Sequence, residues 1–188
     1  MEIDYVERIR QEVLTNIYPP VFDRSKWEEI YSCRNCFAYA LDIKQEEIIP
    51  VEFFQIPGRM LEEEKRQQFL KRKEPLALKR MNVDSNIRLA PNVIWELILL
   101  EIEELGMQFR YVDINEILEE GEYRIAFCVG NRDCHFLRQD KDGTWSHKMG
   151  DNKPTRLDFS GYIINNPYEA NLGRYQVQFI VALKQNKT

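Results

Sequence analysis

An α+β domain built on an antiparallel sheet is the fold class the sequence predicts, on three observations. Apolar residues recur every three to four positions up to Leu105. From Tyr123 they alternate instead, and two of the alternating segments are joined by a short DKDG turn. The chain has 188 residues, 44% hydrophobic and 30% charged, a composition that suits one globular domain with a core of its own. Neither an internal repeat nor a low-complexity tract interrupts it.

The first expected helix covers 3–14, where Ile3, Val6, Ile9 and Val13 share a face before YPP. A second, over 35–43, is apolar nearly all round (Phe37, Ala38, Tyr39, Ala40, Leu41) and therefore belongs in the core, with Cys36 in its first turn. From about 58 to 88 the chain is highly charged and reads as an insertion or exposed helix stopped at Pro75. APNVIWELILLEIEELG is the strongest helix, with Pro91 near its start and Gly106 as its stop. DINEILEEG is expected to be a shorter one, with Asp113 as cap, Glu116 as its capping-box partner and Gly121 at its end. YRIAFCV, CHFLRQ, TWSHK and YQVQFIVAL are the expected strands.

Charge and leader signals narrow the setting. A net charge of −5 supplies no global field toward nucleic acid or an anionic membrane. The basic string around Lys71, Arg72, Lys73, Lys79 and Arg80 is offset by nearby glutamates and reads as a solvated face. The start MEIDYVERIRQEVL lacks a secretory pattern, and glutamates break the most apolar window, so no membrane span is expected. Four cysteines are too few for a disulfide scaffold, which points to reduced thiols and a cytoplasmic setting.

The hairpin carries the functional signal. A type I turn closed by a left-handed Gly143 makes Asp140 face Thr144 and puts Leu137 opposite His147. His135, Leu137, Trp145 and His147 then share one face, with the imidazoles as diagonal neighbours about 7 Å apart or less. They are the only two histidines in the chain. Cys36, at a helix start, is placed for a lowered thiol pKa. A nearby histidine could hold the thiolate and later pass its proton to a leaving group. The backbone amide of Cys36 is the natural oxyanion donor, with Tyr31 and Asn35 as side-chain candidates.

Each of these residues also has an ordinary role. Cys36 could be a small core residue, Trp145 and Phe136 are sheet packing, and isolated histidines are more often structural than catalytic. Cys33 and Cys36 could form a redox pair, but the pair follows the helix-like RSKWEEIY rather than a strand. Zinc held by Cys33, Cys36, His135 and His147 is a further alternative. Cys134 and His135, adjacent on a strand, point to opposite faces and cannot both join such a set. Asp151, Asn152 or Asp158 would replace His147 as orienter if the hairpin register differed.

NCFAYAL, QIPGRM, DCHFLRQDKDGTWSHKMG and DFSGYIINNPYEAN resemble a poorly characterised microbial and viral group of the papain-like cysteine hydrolases, in the compact NlpC-type branch. The resemblance spans roughly 32–60 and 123–183 and is most specific in H…DG-x-WSHK-x-G. It implies a papain-like fold with the nucleophile helix packed on the sheet, Cys36 as nucleophile, His135 as general base and His147 as orienter. The expected substrate is a peptide or other amide- or acyl-bearing molecule, with no cofactor and no metal; water as acceptor would make the chain a peptidase or amidase, an amine an acyltransferase, and a glutamine side chain as substrate a deamidase. Two departures stand near this site: Cys134 where the group has an aromatic, and Met149 where it has proline. An inactive binding module and a zinc-holding structural domain are the alternatives in other classes.

Overall fold

The computed structural model describes residues 4–28, 35–44, 58, 60–77, 90–131, 133–150 and 152–186; Tyr31, Cys33, Asp151 and most of QIPGRM lie outside them. Helix α1 (Tyr5–Thr15) is capped by the Asp4 side chain, which accepts from the Glu7 amide, and it buries Ile9 and Val13. A 3₁₀ turn, Arg24–Trp27, buries Trp27. Helix α2 (Cys36–Ala40) begins at Asn35, whose side chain accepts from the amides of Phe37 and Ala38. Helices α3 (Glu63–Ala77) and α4 (Pro91–Glu104) follow, the latter with Pro91 in its first turn.

The strands are β1 (Met107–Tyr111), β2 (Tyr123–Val129), β3 (Cys134–Gln139), β4 (Trp145–His147) and β5 (Gln176–Gln185). They form one antiparallel sheet in the order β1-β5-β2-β3-β4. The α+β class therefore holds. Alternation sorts the strand side chains onto two apolar clusters. Tyr123, Ile125, Phe127 and Phe136 meet α1, α2 and α4, whereas Ala126, Cys128, Leu137 and Trp145 meet Ile164, Leu172 and Tyr175 from the long segment before β5.

Three expectations need correction. DINEILEEG is not a helix: Glu116 still bonds back to the Asp113 amide, but its carboxylate also pairs with Arg110 and its carbonyl with Arg124, so the cap forms without a helix behind it. Pro75 does not stop α3, which runs on to Ala77; removing one amide bond this close to the end leaves a single turn to complete. Strand β1 went unforeseen because MQFRY is short and mixed; its pairing with β5 holds it.

The charged stretch is tied down at two places. Leu61 and Phe69 bury against Val93 and Leu97 of α4. Glu101, 1% exposed on α4, accepts from the Met60 amide at 2.9 Å, and burial pushes its carboxyl up to about 7. Between pH 4.5 and about 7 the folded chain keeps a proton that the unfolded chain has lost, so this group makes stability fall as pH rises through that window. Denaturant unfolding at about pH 5 and about pH 8 should show Glu101→Gln removing that fall, by up to roughly 3 kcal/mol.

A buried ion network fastens α2 to the hairpin. Arg138 of β3, fully buried, pairs with Asp42 at 2.6 Å and Asp140 at 3.1 Å, and donates to the Tyr39 carbonyl at 3.0 Å. Its guanidinium lies 4.1 Å from the Tyr39 ring centroid, and the Tyr39 hydroxyl meets Ser146 Oγ at 2.7 Å. Arg138→Met removes the buried cation shared by two carboxylates and leaves Asp42 only Lys44 and Asp140 only Arg156 at 3.6 Å, so equilibrium unfolding at neutral pH should show a loss of about 3 kcal/mol.

Candidate functional site

The DKDG turn sets the geometry of the site. Gly143 has φ 87°, the Asp140 amide donates to the Thr144 carbonyl at 2.8 Å, and Leu137 lies opposite His147. His135 and His147 consequently share the sheet face away from α2. Their ring centroids are 5.1 Å apart, and His135 Nε2 meets His147 Nδ1 at 2.9 Å.

One backbone carbonyl fixes both tautomers. His147 Nε2 lies 3.1 Å from the Leu157 carbonyl, which can only accept, so Nε2 carries the proton. Burial holds both imidazoles below their ordinary range and hence neutral, His135 down to about 3. A neutral His147 protonated at Nε2 must accept at Nδ1. His135 then donates from Nε2 and presents an unprotonated Nδ1. The pair forms a directed relay ending in a base, and Leu157 supplies the polarity.

Cys36, at the start of α2, packs against the apolar cluster on the helix side of the sheet. Its helix packs on the opposite face from the imidazoles, with Phe37 and Phe136 ring centroids 5.3 Å apart. The polar groups around the sulfur are backbone amides, those of Phe136, Cys36 and Phe37. Along β3 the amides of 136, 138 and 140 point to the β4 side, as the Asp140 bond shows. Pairing with β4 ends at Leu137–His147, leaving the Phe136 amide to the thiol. The sulfur is thus held by the amide of the residue next to His135, while the His135 ring lies on the opposite face of the sheet.

Burial, the largest influence, raises the Cys36 thiol to about 11; the three amides and the Lys148 ammonium pull it the other way. Cys36 keeps part of its surface open to solvent, although its sulfur is enclosed. Cys134 is pushed further, to about 12, and Cys128 further still, each chiefly by burial. The lowered thiol expected from a helix start is thus not found: α2 is a five-residue helix with a weak dipole, and desolvation outweighs it.

The remaining candidates separate cleanly. Asn35 is spent as the α2 cap. Asp158 accepts from the amides of Ser160, Tyr162 and Asn171 and builds a turn. Asn152 donates its amide to the Met149 carbonyl in a turn of its own. Cys134 packs on the α2 face, opposite to His135, as alternation requires. Among the described residues no group of three or more His, Cys, Asp or Glu side chains is placed to hold a metal ion, and the proposed zinc set includes Cys33, outside them. A cavity of about 290 Å³ between α3 and α4, lined by Leu61, Phe69 and Leu100 among others, shares no residue with the site.

Two participants escaped sequence reasoning. Leu157 acts through its carbonyl, which no side-chain pattern reveals. Tyr175, the residue before β5, lies with its ring 5.1 Å from that of His135.

No family model, curated protein or solved structure matches the chain.

The neutral histidines give a signed prediction. Below pH 6.5 the unfolded chain takes up a proton that folded His135 resists down to about 3, so stability is lost as pH falls through that window. His135→Gln should flatten this acid limb, by roughly 2 kcal/mol at about pH 4.5 relative to pH 7, read as the change in urea midpoint.

Proposed function

We propose that this chain is a cysteine hydrolase of the papain-like, NlpC-type kind, cutting an amide or acyl bond with Cys36 as nucleophile, His135 as general base and His147 as orienter. The observation that carries the proposal is the Leu157–His147–His135 relay, which leaves His135 Nδ1 as a proton acceptor one residue from the amide at the Cys36 sulfur. The substrate is a peptide or similar amide-bearing molecule, and neither nucleic acid nor a membrane is the partner. No helix among the described residues is long and apolar enough to cross a membrane. Free thiols at Cys36, Cys128 and Cys134 suit a reducing cytoplasm.

The resting pair is neutral, which sets the order of events. Substrate closes on the thiol, and His135 Nδ1 takes its proton as the sulfur bonds to the carbonyl carbon. The Cys36 amide stabilises the oxyanion. The new imidazolium, held by His147, returns its proton to the leaving amine as the carbon–nitrogen bond breaks. Water then attacks the thioester, with His135 again as base, and releases the acid and the free thiol. Enclosed thiol and imidazole contacts often tighten only when substrate is bound.

A second reading has its own support. A thiol raised to about 11 and an imidazole lowered to about 3 on the opposite face of the sheet are also what an inert papain-like binding module would show. A peptide-based acylating probe, with site-resolved mass spectrometry, separates the two. The hydrolase reading expects labelling concentrated at Cys36, a loss of about 100-fold in His135→Ala and a smaller loss in His147→Asn. Labelling of Cys36 no faster than that of Cys128 would leave the binding module.

A further inference from the structure

His135 is covered by a side chain that the relay does not use. The Tyr175 ring lies 5.1 Å from the imidazole at a 36° tilt and is itself only 8% exposed. Its hydroxyl is held at 3.0 Å by Asp133, from the turn between β2 and β3, and at 3.0 Å by Arg174. Arg174 also pairs with Asp133, closing a three-membered clamp. The turn makes room for it: a Cβ at Gly130 would come within 2.9 Å of Asp133 Oδ1 and 3.0 Å of Tyr175 Cε1.

We propose that Tyr175, clamped by Asp133 and Arg174, is a positioning residue that covers His135 and holds its ring in the orientation that keeps Nε2 on His147. The proposal deepens the hydrolase reading, since the ring it positions is the base of that site. A half-turn of the imidazole about Cβ–Cγ would put the carbon Cε1 where Nε2 stood, breaking the bond to His147 that fixes the tautomer and moving Nδ1 to the other side of the ring. Packing against an aromatic face restricts that rotation, and exclusion of water disfavours the charged form. The titratable and charged groups around the ring are His147 on β4, Cys128 directly across on β2, and Tyr175 with its two clamp partners; Asp158 lies beyond, near His147.

Ring nitrogen NMR tests the proposal, since the chain has only two histidines to assign. The wild type should show His135 as a single tautomer protonated at Nε2, with a depressed titration midpoint. Tyr175→Ala should raise that midpoint by at least about one pH unit and mix the tautomers. Tyr175→Phe, which keeps the ring, should restore most of both. A wild-type midpoint and a single tautomer in Tyr175→Ala would overturn the proposal. Should that variant fail to fold, Gly130→Ala decides in its place: it leaves the core filled, and its methyl, 3.0 Å from Tyr175 Cε1, displaces the ring itself from the imidazole, so the same two outcomes apply. The readout is the ring itself, so an inert Cys36 would remove the hydrolase reading and leave this result standing.

Discussion

Arg138 is the constraint on which the arrangement depends. A fully buried guanidinium must find its charges and acceptors inside the protein, and the ones it finds lie on separate pieces of chain: Asp42 and the Tyr39 carbonyl after α2, and Asp140 at the hairpin turn. Satisfying it brings the helix carrying Cys36 onto the strand carrying His135. Apolar packing alone would tolerate α2 sliding along the sheet, because Phe37 and Phe136 can meet in many offsets. A cation with fixed N–H directions does not tolerate it.

The site that results differs from a pre-formed ion pair. Its thiol and imidazole both rest neutral because burial outweighs every charge nearby. A thiol that stays protonated is a poor nucleophile, which limits stray oxidation and alkylation of the sulfur. Orientation has to come from hydrogen bonds instead of charge attraction, and here it originates in a peptide carbonyl at Leu157, passed on through two rings.

The hairpin was legible in the sequence because turn chemistry and period-two alternation are local. DKDG with a left-handed Gly143 fixed the register, and the register alone placed both histidines on one face. The same local logic failed at DINEILEEG, where the cap residues are present but Arg110 and Arg124 draw Glu116 into other bonds. It failed at Cys36 as well, since the field of a helix start is visible in sequence and the depth of burial is not. Tyr175 and the Leu157 carbonyl stayed hidden for a related reason: each reaches the site from a distant segment, one through a ring contact and one through the backbone. The papain-like proposal, by contrast, rests on the motif resemblance, to which the fold adds only the α+β class.

The strand order carries a consequence for how the chain assembles. Strand β5, the last in sequence, lies between β1 and β2, so the sheet has no continuous middle until it arrives. Until then β1 has no partner strand among the described residues, and the β2–β3–β4 hairpins present an open edge where β5 will insert. During synthesis β2, β3 and β4 emerge before β5, so the histidines can meet on a sheet that cannot yet close. Final closure links residues 107–111 to residues 181–185, a long loop whose entropy must be overcome in the last step. Chaperone capture of the nascent chain would act on that exposed edge, ahead of any chemistry at Cys36.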